Sequence, residues 1–209
     1  MGNYITSYCR IKNQTIEVNG KTIPITENNT GAGFLIEAYK QLGLNYPKFH
    51  KMDAMCKLGF IATEAALQGS GFIERNKPEN IAIVITNKSS SLDTDRVHQN
   101  SINDIDKYLP SPSVFVYTLP NIIIGEIAIK NKIIGENAFF VAESFDEKLL
   151  VMHNKLLINQ SQTTALISGW VDYDNGVCDA LIYLVEIADD SIKNSNFKAL
   201  NEITLKQLY

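Results

Sequence analysis

One run constrains the fold more than any other: Ile81-Ala82-Ile83-Val84-Ile85, five consecutive apolar residues between Asn80 and Thr86. A run of strand length with no polar face belongs in a sheet covered on both sides. Helices supply such cover, and helical and strand patterns alternate along the rest of the chain. Tyr4 to Ile11 alternates as a strand does, and Asn19-Gly20 joins Thr15–Val18 to Lys21–Ile23 as a two-residue hairpin. Asn28 to Gly33 reads as a loop, and Phe34 to Leu42 as a helix ended by Gly43. From Asp53 to Gln68, the residues Met55, Leu58, Ala62, Ala65 and Ala66 fall at helical spacing, and Gly69-Ser70-Gly71 stops them. A polar helix is expected from Asp93 to Tyr108, closed by Pro110 and Pro112, and another from Pro120 to about Lys132. Ala138 to Ala142 reads as a short buried strand and Phe145 to Asn159 as a helix. Thr164–Tyr173 and Val177–Ile187 read as two strands turned by Asp174-Asn175-Gly176. The prediction is one α/β domain over residues 1–209, layered α/β/α on a five-stranded, mostly parallel mixed sheet. Its last two strands are expected as an antiparallel hairpin at the edge. The polar tail from Asp189 is read as a loop with a short terminal helix.

Composition narrows the function. Lysine and arginine number 19 against 23 acidic residues, a net charge of −4, which argues against nucleic-acid binding. Cys9, Cys56 and Cys178 are scattered and odd in number, so no disulfide framework is expected and a reducing cytoplasm fits. His50, His98 and His153 are equally scattered, and His50 and His98 read as surface residues. No metal or cofactor is expected. The opening residues lack a secretory pattern, and Pro120, Asn121 and Glu126 interrupt the apolar stretch Val114 to Ile129, so no membrane span is expected. Gly31-Ala32-Gly33 and Gly69-Ser70-Gly71 do not complete a dinucleotide-binding fingerprint and read as turns. The Asn-x-Ser/Thr triplets at Asn13, Asn28, Asn87 and Asn159 read as chance matches.

The most informative stretch runs from Thr118-Leu119-Pro120-Asn121 through Gly125-Glu126 to Ile134-Gly135-Glu136-Asn137-Ala138-Phe139-Phe140-Val141-Ala142-Glu143-Ser144. It resembles the N-terminal half of the β-ketoacyl synthases, the condensing enzymes of fatty-acid and polyketide synthesis, whose fold is thiolase-like. In that family Pro-Asn opens a helix with glycine four residues after the asparagine, and a strand then leads to the turn carrying the catalytic cysteine. Lys51-Met52-Asp53 before Ala65-Ala66-Leu67, Asn80–Thr86, Leu92–Asp95, Ala165–Gly169 and Tyr183–Glu186 are similar to further family segments in the same order. The resemblance spans about residues 4–187.

Two departures matter. The family's nucleophilic cysteine falls on Ser144, which forms an S-x-x-E spacing with Glu147. That spacing predicts a capping box, with Ser144 as a helix N-cap in preference to a nucleophile. Glu143, Asp146 and Glu147 would also disfavour an anion there, and a serine hydroxyl needs an adjacent base. The resemblance further implies two histidines on a C-terminal half, and the chain ends where that half would begin. Condensation by this chain alone is therefore not expected, and the face left bare is expected to be covered by a second copy or a synthase subunit. On the same resemblance Val114, Asn121, Glu143 and Phe145 would line the substrate.

Three functions remain open. The first is a non-condensing relative in a fatty-acid, aryl-polyene or polyketide pathway, acting as a chain-length-type subunit. It would form a homodimer, or a heterodimer with a full-length synthase, through the edge Ala138–Ala142 and the crossing segment Val114–Asn121. The second is an acyltransferase or thioesterase that uses Ser144, with Glu143 or Asp146 as a weak base. The third is a docking module for acyl carrier protein, through Lys48 and Lys51 or Lys130 and Lys132.

Overall fold

The computed structural model describes residues 2–25, 30–160, 162–188 and 196–209; Asn28 of the expected loop and the start of the tail at Asp189 lie outside them. The chain opens with β1 (Gly2–Lys12), β2 (Thr15–Val18) and β3 (Lys21–Ile23). Asn19 (φ +52°) and Gly20 (φ +80°) make the foreseen hairpin turn, and Asn13 and Gln14, also at positive φ, make a second one before it. Next come α1 (Gly31–Gln41) and α2 (Ala54–Leu67), with a 3₁₀ turn at Pro47–Lys51 between them. Asp53 starts α2 by accepting the Cys56 N–H at 2.8 Å. Then follow the short α3 (Phe72–Arg75), β4 (Ile81–Asn87), α4 (Leu92–Asn100), the short α5 (Pro112–Val116) and α6 (Ile122–Asn131). The chain closes with β5 (Asn137–Val141), α7 (Glu147–Gln160), β6 (Ala165–Asp174), β7 (Val177–Ala188), β8 (Lys198–Ala199) and α8 (Glu202–Leu208).

The fold class is α/β on a mixed sheet, ordered β3-β2-β1-β7-β6-β4-β5, with β8 added beside β1. Five strands, β1-β7-β6-β4-β5, form its body, and β2, β3 and β8 raise the total to eight. Only β6-β4-β5 run parallel; every other pairing is antiparallel, which corrects the mostly parallel expectation. The β6–β7 hairpin is also central and not at the edge, because β1 returns from the far end of the sequence to flank β7 from Gly2↔Ala188 to Lys12↔Asp179. Gly169 permits that centre: a Cβ there would stand 1.9 Å from the Leu181 carbonyl oxygen.

Each face of the sheet carries a core. Alternate β4 residues Ile81, Ile83 and Ile85 face the core that holds Phe34 and Leu35 of α1, Leu58 and Ile61 of α2, and Ile123 and Ile127 of α6. Ala82 and Val84 face the other, with Leu150 of α7 and Leu205 and Leu208 of α8. Between α2 and α6 the Ile123 side chain packs directly over Gly59, where a Cβ would meet its Cδ1 at 2.1 Å. The polar helix expected to reach Tyr108 stops at Asn100. Its asparagines and serines hydrogen-bond locally instead, Ser101 donating to the His98 carbonyl at 2.6 Å. Among the described residues no helix is long and apolar enough to cross a membrane.

Candidate functional site

The turn that the resemblance singled out lies beyond the C-terminal end of β5. That strand runs beside β4 from Ile83↔Asn137 to Asn87↔Val141, and the Ala142 N–H extends the ladder to the Asn87 carbonyl at 2.8 Å. Glu143 and Ser144 then turn into solvent, both exposed. The capping box does not form as expected. Asp146 is the cap: its Oδ1 accepts the Leu149 N–H at 2.9 Å and its carbonyl accepts the Leu150 N–H at 3.2 Å. Phe145 explains the shift of two residues. Its ring stacks on Tyr209 with centroids 4.1 Å apart and stands edge-on to Trp170 at 6.3 Å. Those contacts hold Phe145 outside the helix, so α7 begins after it.

Among the described residues the Ser144 hydroxyl makes no hydrogen bond, and His153, on α7, stacks on Phe140 at 4.2 Å. A carboxylate, Asp146, already occupies the positive end of the helix, where an oxyanion or thiolate would be stabilised. The cysteines offer no substitute. Burial pushes the Cys9 and Cys56 thiols well up, and that of Cys178 up to about 12.

Val114 borders a cavity of about 250 Å³ with Met52, Asp53, Thr94, Val97 and Tyr117, on the α2 side of the sheet. Phe145 belongs to the opposite core, and Asn121 is exposed at the start of α6 without a side-chain capping bond. His98, expected at the surface, is half-buried against Phe115 with ring centroids 5.4 Å apart. Of the four candidate docking lysines, two are tied to this chain's own carboxylates. Lys48 pairs with Glu126 at 2.9 Å and Lys130 with Glu64 at 3.5 Å, while Lys51 and Lys132 stay exposed.

Sequence reasoning missed the role of Glu126, read only as an interruption of an apolar stretch. It is 3% exposed, and beyond Lys48 it accepts the Tyr117 hydroxyl at 3.1 Å. Burial and this carboxylate push the Tyr117 phenol up. The available signal was a single carboxylate inside the isoleucine-rich helix Ile122–Asn131. Also missed was the extent of exposed apolar surface between α4 and α6, where Ile105 is 89% and Leu109 81% exposed, with Tyr108, Phe115 and Leu119 also in solvent. Val141, at the end of the edge strand, is 57% exposed.

No model of a known protein family matches the chain, and no curated protein matches its sequence. Solved structures match its fold. The ishigamide ketosynthase/chain length factor superposes with a TM-score of 0.68 at 16% identity, over 92% of this chain and 64% of that one. A type II polyketide-synthase acyl-carrier protein in complex with its ketosynthase matches with a TM-score of 0.60 at 13% identity, over 88% and 62%. A ketosynthase (ApeO) in complex with its chain length factor (ApeC) from Xenorhabdus doucetiae matches with a TM-score of 0.56 at 13% identity, over 91% and 81%. The chain thus has the thiolase-like ketosynthase fold, and it spans less than two thirds of the first two matched chains.

Proposed function

We propose that the chain is a ketosynthase-like subunit that docks on a condensing ketosynthase, in the manner of a chain length factor, and carries out no condensation itself. The carrying observation is the turn after β5. Where the resemblance calls for a thiolate at a positive helix end, an exposed serine lacks a base and an aspartate caps the helix. The edge strand supports the docking half of the reading. Among the described residues Asn137-Ala138-Phe139-Phe140-Val141 pairs on one side only, and it carries no lysine, proline or bulge that would discourage a second strand. Exposed apolar residues of the crossing segment, Phe115, Val116 and Leu119, offer further contact area. Two of the compared structures contain a chain length factor. In the Xenorhabdus doucetiae complex the coverage of the two chains makes the matched one only slightly longer than this one. The pathway is of the fatty-acid or polyketide kind, and the partner is a ketosynthase in preference to a second copy.

The competing reading, acyl transfer through Ser144, is separated by intact-mass measurement. After incubation with acyl and malonyl thioesters the protein gains no mass on the present reading. An acyl adduct that Ser144→Ala abolishes would establish the enzyme instead.

A further inference from the structure

Tyr209 joins two parts of the molecule that no backbone ladder joins directly. Its hydroxyl donates to Asp179 Oδ2 at 2.5 Å, and the Lys12 ammonium sits 3.8 Å from its ring centroid. Lys12 and Asp179 face each other as the last pair of the β1–β7 ladder. Lying 9° from coplanar, the Phe145 ring stacks on the Tyr209 ring, and Phe145 is the residue after Ser144. Burial and the Asp179 carboxylate hold the phenol protonated and donating. Leu205 and Leu208 of α8 are buried, and Asn201 caps that helix by accepting the Thr204 N–H at 2.8 Å.

We infer that residues 201–209 form a strut that fixes the Ser144 turn, and through it the docking end of β5, to the end of the β1–β7 ladder. The turn needs such an anchor. Glu143, Ser144 and Asp146 are exposed, and among the described residues β5 has a neighbour on one side only. Phe145 is the apolar side chain that ties this turn inward, and its partners are Tyr209 and Trp170. A strand end held in one position pays less ordering entropy when a partner strand adds to it. The strut therefore regulates the edge proposed above as the docking surface, without contributing to that surface; this consequence rests on the docking reading.

Hydrogen exchange on the full chain tests the strut without any partner. Tyr209→Ala removes the stack and the hydrogen bond, and the hydrogen-bonded amides of Ala142, Leu149 and Leu150 are expected to exchange faster on the order of tenfold. Amides of β4, β6 and β7 keep their rates. Tyr209→Phe keeps the stack and gives a smaller change. Trp170 is the only tryptophan, so its fluorescence reports the same loosening through Phe145. Unchanged rates at Ala142, Leu149 and Leu150, or an equal rise across β4 and β6, would overturn the strut. A second arm measures binding of a ketosynthase to both forms: faster dissociation from Tyr209→Ala is expected, and equal dissociation rates would overturn the link to docking. If no ketosynthase binds the wild type, the docking reading fails while the exchange result stands on its own.

Discussion

Strands β4 and β5 are parallel neighbours with similarly apolar sequences, yet they live in different environments. All seven residues of Ile81–Asn87 are buried, whereas both ends of Asn137–Val141 are exposed. Hydrophobicity alone does not separate a central strand from an edge strand; the number of neighbours does. At β4 the apolar side chains fill two cores. At β5 they exceed what a solvent-facing edge requires, and that excess is the physical argument for a partner.

Five substitutions would break or sharpen this contrast, in decreasing order of effect. Gly169→Ala places a Cβ 1.9 Å from a carbonyl oxygen in the β6–β7 ladder, and no folded protein is expected by circular dichroism. Val84→Asp buries an unpaired carboxylate at the centre of β4 and should cost more than about 4 kcal/mol, measured by urea titration. Asp146→Ala removes the cap of α7 at about 1 kcal/mol, while Ser144→Ala stays within about 0.5 kcal/mol. Reversed magnitudes would restore Ser144 as the cap. Val141→Lys also stays within about 0.5 kcal/mol for the isolated chain, because Val141 is already in solvent.

A pH prediction concerns the far end of the central hairpin. Burial disfavours the Glu186 carboxylate, but hydrogen bonds from Arg75 and Asn76 outweigh it and leave its pKa below the ordinary 4.5. A depressed folded value stabilises the fold above the unfolded pKa. That contribution is lost as pH falls below about 4.5 and through the folded value. Thermal melts of Glu186→Gln should therefore differ from wild type at neutral pH and converge with it in acid. A difference that grew in acid would reverse the assigned sign.

Local patterns made most elements legible. The buried run at Ile81, the Asn19-Gly20 turn and the helix opening at Asp53 all lie where their residues predict. What stayed illegible depends on distant partners. That β6–β7 is central follows from β1 pairing with β7 across most of the chain, which no local period encodes. The cap of α7 moved from Ser144 to Asp146 because Phe145 is held by Tyr209, a residue 64 positions away. At the candidate site the sequence located the turn and its serine. The structure set Val114 beside a cavity with Met52 and Tyr117 and found Glu126 buried against Lys48 and Tyr117.

The most direct test uses the wild-type chain and Val141→Lys as baits in affinity capture from the native cell, read by mass spectrometry. The account predicts that the wild type recovers a ketosynthase, that Ser144→Ala recovers it equally, and that Val141→Lys loses it. Failure of the wild type to recover any ketosynthase, or equal recovery by Val141→Lys, would contradict it.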